Sequence, residues 1–310
     1  MPEISVVIPA YNVDKVLCKR AVDSILSQTF RDFEVLVVDD TAADESEFYK
    51  SFGDDRLKYI HNDSRLGLAQ SRNKAMSMAS GKYIAFMDAD DYSCPTRFQK
   101  QFDFMEQNRT VDVLGTFYTA NGKKIRLPVA DSDIRFRLVF YDGAILMPTV
   151  MARAETIRRY GLQFPDSPVE DYEFYLSAVA AATFANLPAV LLNKIDHANS
   201  ISVQKGGKLI RDASFAAQRK WQERLIGAPF DWRHRRSFTV DDWTAYHRQV
   251  ADLQTRFPDL NDKYKRRYFN KIFRYIVRHT VRETNFRRAL MKSDLPFWFK
   301  IDQFFKEQKK

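Results

Sequence analysis

Residues 4–10, ISVVIPA, form a short apolar run with several β-branched side chains. Residues 16–27 follow with apolar positions at 16, 17, 21, 22, 25 and 26. The first pattern predicts a buried strand and the second a helix with one apolar face. FEVLVV (33–38), LKYIHN (57–62) and YIAFM (83–87) predict three further strands. Helix-compatible sequence separates the second strand from the third. Residues 66–79 read as a helix closed by Ser80–Gly81, since glycine suits a helix C-terminus. Strands that are apolar almost throughout are covered on both faces. The alternation therefore predicts an α/β fold with a mostly parallel central sheet.

Beyond Pro95 the regularity loosens. Residues 96–108 predict a helix, VDVLGTFYTA (111–120) a strand bent at Gly115, and residues 170–182 a helix that opens on acids. Acids are favourable at a helix N-terminus. After Gly206–Gly207 the composition changes. Tyr264, Tyr268, Ile272 and Ile276 recur every four residues among lysines and arginines, and residues 295–310 carry Phe297, Trp298, Ile301, Phe304 and Phe305 beside lysines. This divides the chain near residue 205, with a helical, basic region over 205–310.

The 310 residues, 45% hydrophobic, suffice for one large domain with an appendage or for two domains. Two cysteines, Cys18 and Cys94, fit no metal-site spacing and no disulfide framework, which favours a reducing compartment. MPEISVVIPAYN lacks the basic start and apolar core of a signal peptide and reads as the first strand. No apolar run reaches about 18 residues, so no spanning helix is expected. Charge is unevenly spread: residues 1–204 hold 23 Lys+Arg against 28 Asp+Glu, and residues 205–310 hold 26 against 12. The net +9 thus arises from the C-terminal third, whose natural complement is an anionic surface.

The fourth strand runs straight into Asp88, Asp90 and Asp91. If extended geometry persists past Met87, Asp88 and Asp90 point together and Ala89 points away. Two carboxylates at a strand's C-terminal end make a hard-oxygen site for Mg²⁺ or Mn²⁺. The second strand also ends in acids, Asp39 and Asp40, and ligands of open parallel sheets bind at that edge. Read on pattern alone, the same acids also suit turns and helix caps.

PAYN (9–12), SILSQTFRDFEVLVVDD (24–40), GLAQSRNKAMSMASGKYIAFMDADD (67–91), MPTVMARAETIRRYG (147–161), VEDYEFYLSA (169–178) and, more weakly, HANSIS (197–202) resemble in order the motifs of family 2 glycosyltransferases. The resemblance covers about residues 1–204. It implies the GT-A fold, with a nucleotide-binding half over 1–110 and an acceptor half over 111–204. It also implies sugar transfer with inversion from a UDP-sugar to a glycan or lipid-linked oligosaccharide, as in bacterial surface polysaccharide synthesis. Pro9, Ala10, Tyr11 and Asn12 would lie against the nucleotide, with Tyr11 stacked on the base. Asp40, beside Asp39, would read uracil and ribose, and Arg72 would face the diphosphate or base. Asp88–Ala89–Asp90 would be the D-x-D motif holding Mn²⁺ or Mg²⁺, with His197 near the metal or diphosphate. Asp171, of the pair Glu170–Asp171, would be the general base. Without the resemblance, Asp171 reads first as a cap of its helix.

Three positions depart from the family pattern. Thr41 and Ala42 replace the glycine and serine that usually follow the second-strand acids, and Met147 stands where histidine is frequent. The basic tail matches no motif. It reads either as a helical layer packed on the catalytic region or as an interfacial surface on anionic lipid. The latter suits a cytoplasmic enzyme held peripherally on the cytoplasmic face of the inner membrane. No nucleic-acid motif accompanies the tail, and no nucleic-acid partner is expected. The alternative to an enzyme is a non-catalytic membrane- or nucleic-acid-binding protein acting through the basic helices. A nucleotidyltransferase would need a glycine-rich basic loop after the first strand, which PAYNVDKV is not.

Overall fold

The computed structural model describes residues 1–140, 143–196 and 207–226. Strand β1 (Ile4–Ala10) leads through α1 (Lys15–Leu26) to β2 (Phe33–Asp39), and both strands are buried along their whole length. Asp14 starts α1 by accepting the amides of Val16 and Leu17, at 2.8 and 3.2 Å, so that two of the four orphan helix donors are satisfied. The helix then buries Cys18, Ala21, Val22 and Ile25, the stripe its 3.6-residue period predicts. Next come α2 (Ser46–Lys50), β3 (Leu57–His61), α3 (Leu68–Met78) and β4 (Tyr83–Phe86). β3, β2, β1 and β4 lie side by side in that order, all parallel. The chain thus builds β2 and β3 on one side of β1 and β4 on the other. Such a reversal opens a crevice beyond the carboxyl ends of β1 and β4.

The second half extends the same sheet. After β5 (Tyr92–Ser93) and α4 (Arg97–Gln107) come β6 (Val113–Ala120), β7 (Lys123–Ile125), α5 (Asp131–Phe140), a 3₁₀ turn at Met147–Thr149 and β8 (Met151–Arg153). α6 (Ala154–Arg159), α7 (Glu170–Ala178), β9 (Phe184–Lys194) and α8 (Gly207–Ile226) complete the described elements. The strand order is β3-β2-β1-β4-β8-β6-β9-β5, with β7 paired to β6. β8 runs antiparallel to both β4 and β6, and β6 and β9 are parallel. β8 holds three residues, too few for a periodicity to announce it. The irregularity predicted at Gly115 falls just beyond it, where the β6–β9 register shifts at Thr116–Tyr118. Gly115 itself is a close approach: a Cβ there would lie 2.2 Å from Asn186 Oδ1.

Both faces of the parallel half are packed, as the apolar strands predict. A buried carboxylate ties its far edge. Glu34 of β2 accepts the Ser5 hydroxyl at 2.6 Å, the Ser80 amide at 2.9 Å and hydroxyl at 2.7 Å, and Lys58 Nζ at 2.7 Å. Burial opposes its charge, but these donors outweigh it and lower its pKa from 4.5 to about 2. A depressed carboxylate contributes stability that is complete above its unfolded pKa and is lost as pH falls toward the folded value. Glu34→Gln is expected to cost about 2 kcal/mol at pH 7. In urea melts the wild-type advantage should shrink between pH 4.5 and about 2; an equal difference at pH 7 and pH 3 would contradict this.

Chain contacts divide the protein into Met1–Trp221 and Gln222–Lys310. Most of the basic C-terminal region, from residue 227 onward, and His197 lie outside the described residues. Among the described residues no helix is long and apolar enough to cross a membrane.

Candidate active site

β4 ends at Phe86, two residues before the first acid. Residues 88–91 form a turn in which the Asp91 amide reaches the Asp88 carbonyl at 3.4 Å. Extended geometry therefore does not persist past Met87, and the alternation that would separate Asp91 from its neighbours lapses. The turn gathers all three acids: one oxygen each of Asp88, Asp90 and Asp91 lies within 4.8 Å of the others. Asp91 is only 2% exposed. One of its oxygens accepts the Ile195 amide at 2.8 Å, and the other is buried with no hydrogen-bond partner among the described residues. Burial, with Asp88 next in effect, pushes its pKa up to about 8. Three crowded carboxylates, with an orphaned buried oxygen among them, fit a hard divalent cation. Sequence reading saw Asp91 as an acid but gave it no role.

Beneath this turn Arg97 is fully buried. Its guanidinium donates to the carbonyls of Phe86 (2.9 Å) and Val150 (3.4 Å), the Ser93 hydroxyl (3.0 Å) and Gln101 Oε1 (2.9 Å). Burial lowers its pKa to about 9, with Asp91 and Asp88 pulling the other way. It therefore anchors the end of β4 and the strand that follows the acids.

Arg72, on α3, joins the two halves. Nη2 donates to Asp88 at 3.0 Å and Nη1 to Glu170 at 3.1 Å, although Arg72 and Glu170 are 98 residues apart. The side chain is buried, which disfavours its charge, but Asp88, Glu170 and Asp171 outweigh this and raise its pKa. Below it, Phe164 lies 5.2 Å from the guanidinium and stacks on Phe174 at 4.5 Å. Asn73 fixes Phe164 from both sides: its Nδ2 donates to the Phe164 carbonyl and its Oδ1 accepts the Phe164 amide, each at 2.9 Å. The neighbouring pair Arg72–Asn73 thus builds one connection in ions and one in backbone hydrogen bonds. Glu170 was quoted from the sequence only as part of a motif. Nothing local signals an ion pair across such a separation.

Asp171 follows Glu170 in the first turn of α7 and is partly exposed. One of its oxygens accepts the Tyr172 amide at 2.7 Å. The Glu170–Arg72–Asp88 link thus brings the start of α7 to the acidic turn after β4.

The remaining expected residues line the carboxyl edge of β1 and β2. Pro9 and Ala10 pair with Val38 and Asp39, and both are buried. Tyr11 is exposed, with Arg65 stacked 4.2 Å from its ring centre. Asn12 takes a left-handed conformation (φ 48°), and its amide donates to Thr41 Oγ1 at 2.9 Å. The threonine that departs from the family pattern therefore ties the two edge loops together. Asp39 accepts the Thr41 amide at 2.9 Å and the Tyr59 hydroxyl at 3.3 Å. Asp40 accepts Asn62 Nδ2 (2.6 Å) and the amides of Leu66 (3.2 Å) and Gly67 (2.6 Å), so both its oxygens hold the 62–67 loop. Ala89 is buried within the acidic turn.

Known proteins resemble this chain in sequence and in fold. The family model described as Glycosyl transferase family 2 matches residues 5–159. An uncharacterised glycosyltransferase of Methanocaldococcus jannaschii is 32% identical over 192 residues, covering 58% of this chain and 65% of that one. The chain thus spans just under two thirds of that relative's length. WfgD of Escherichia coli, a UDP-Glc:alpha-D-GlcNAc-diphosphoundecaprenol beta-1,3-glucosyltransferase, is 30% identical over 176 residues, covering 56% of this chain and 68% of the relative. The crystal structure of S. aureus TarS 1–349 in complex with UDP-GlcNAc matches with a TM-score of 0.59 at 19% identity, over 94% of this chain and 76% of that one. At that identity the likeness speaks for the shared GT-A fold.

Proposed function

The chain belongs to glycosyl transferase family 2 and is a glycosyltransferase, and on that premise we propose that it moves a sugar from a UDP-sugar to a lipid-linked glycan, with inversion and with a divalent metal. The observation that carries this reading is the Arg72 bridge, which brings the Glu170–Asp171 pair to the Asp88–Ala89–Asp90 turn. An inverting transfer needs two things at one place: a group that bears the leaving diphosphate and a base for the incoming hydroxyl.

Asp88 and Asp90 would hold Mn²⁺ or Mg²⁺, with Asp91 beside them. Bound there, the cation supplies Lewis-acid stabilisation of the departing nucleoside diphosphate. Asp171 accepts the proton of the acceptor hydroxyl as its oxygen attacks the anomeric carbon and the sugar–phosphate bond breaks. Tyr11 offers the nucleobase an exposed aromatic face, while Asp39 and Asp40 shape the edge for uracil and ribose. The catalytic region is residues 1–204. A lipid-linked acceptor is supported by the activity of WfgD. It agrees with a C-terminal third whose excess of lysine and arginine suits contact with an anionic membrane face.

The test is turnover of a UDP-sugar panel with Mn²⁺ and with EDTA. Turnover should vanish in EDTA and return with added metal. Asp90→Ala should reduce it by about 10²-fold or more, on the scale of losing one group that stabilises transition-state charge. Unchanged turnover in EDTA would sink the metal assignment.

A further inference from the structure

We propose that Arg65 is a donor-binding residue whose guanidinium carries the positive charge for the nucleoside diphosphate beside Tyr11. The inference rests on the nucleotide reading of Tyr11 and deepens it.

Three observations combine. Arg72, the cation expected to face the diphosphate or base, spends both terminal nitrogens on Asp88 and Glu170 and is buried. Its charge is already matched by carboxylates. Two other cations near this edge are also engaged: Lys15 pairs with Glu45, and Lys74 donates to Asn62 at 2.5 Å. Arg65 is exposed, and among the described residues it enters no ion pair; its recorded contact is the Tyr11 ring at 4.2 Å.

Its position is built rather than incidental. The loop that carries it is pinned on both flanks by Asp40, through Asn62 on one side and the amides of Leu66 and Gly67 on the other. Gly67 takes φ +86°, a backbone that favours glycine and turns the loop into α3. Across the edge, Asn12 is tied to Thr41, and the Asn62 amide donates to the Asp39 carbonyl at 3.0 Å. Tyr11 and Arg65 are therefore both referenced to the end of β2. An exposed aromatic face with an unneutralised guanidinium on it complements a ligand that joins a flat base to an anionic chain. Asp40 then acts through the loop that presents Arg65.

Isothermal titration of the full chain distinguishes the outcomes, with UDP, GDP and the matching nucleosides as probes. For the diphosphate that wild type binds, Arg65→Ala should lose about tenfold in affinity, as for a lost hydrogen bond to a charged group. Its nucleoside affinity should change by less than about threefold, the scale of an exposed cation–π contact. Arg65→Lys should fall between, and the gap should narrow at high salt. Arg65→Ala binding the diphosphate as wild type does overturns the proposal, as does an equal loss for diphosphate and nucleoside. If wild type binds neither diphosphate, the nucleotide reading itself fails and Arg65 with it. Tyr11→Ala separates the two roles, since it should weaken nucleoside and diphosphate alike.

Discussion

Asp171→Asn is expected to reduce turnover by about 10²–10⁴-fold while leaving donor binding within about twofold of wild type, the pattern of a lost general base. The substitution keeps the shape of the side chain and removes its capacity to take a proton. The amide oxygen can still accept the Tyr172 amide, so the start of α7 should stay intact. Glu170, not Asp171, pairs with Arg72, so the ionic connection to the acidic turn survives the change. Initial rates and titration of UDP on the same preparation check it. Full turnover in Asp171→Asn removes the base assignment. A parallel loss of donor affinity and rate would make Asp171 a binding residue instead.

The second large effect belongs to Arg72. Arg72→Met should destabilise the protein by about 3 kcal/mol or more and abolish measurable transfer. The cost arises because the buried charge of Glu170, 8% exposed in its side chain, loses the guanidinium that faces it. Asp88 loses the same support at the place where donor chemistry is proposed. Arg72→Lys should recover only part of the loss, since one ammonium cannot serve two carboxylates on a rigid fork. A double-mutant cycle decides whether the cost is pairwise. Arg72→Met with Glu170→Met should be less unstable than the two single changes added together, by about 1 kcal/mol or more. Additive losses in urea melts would show that the ion pair is not what holds the junction.

These two residues also mark where sequence reading reaches its limit. The parallel half was legible nearly residue by residue. β1 occupies the predicted 4–10, β2 runs Phe33–Asp39 against a predicted 33–38, and α3 runs Leu68–Met78 within a predicted 66–79. Each is strongly patterned, and β2 and α3 are bounded by Asp, Gly or Ser, so local physics suffices. The motif acids were legible for a related reason: they follow apolar runs that must end at the sheet edge.

The parity argument for the acids shows the boundary. It places Asp88 and Asp90 together and turns Ala89 away, on the premise of continued strand, and gives Asp91 no place. The strand stops at Phe86, and the turn brings Asp91 to the other two with one buried oxygen unpartnered. Arg72 was assigned to the diphosphate or base from motif position, yet its fork lies between two carboxylates. Asp40 was assigned to uracil and ribose, and its oxygens hold the 62–67 loop.

What the sequence by itself determined is therefore the family, the parallel half of the sheet and the residue types gathered at its carboxyl edge, because apolar periodicity and short motifs are local properties. What only the tertiary structure decided is which charge meets which. The Arg72–Glu170 pair, the gathering of Asp91 and the stacking of Arg65 on Tyr11 depend on elements far apart in the chain and adjacent in the fold. Burial then sets the strength of each contact, since a charge removed from water must find a partner wherever the chain brings one.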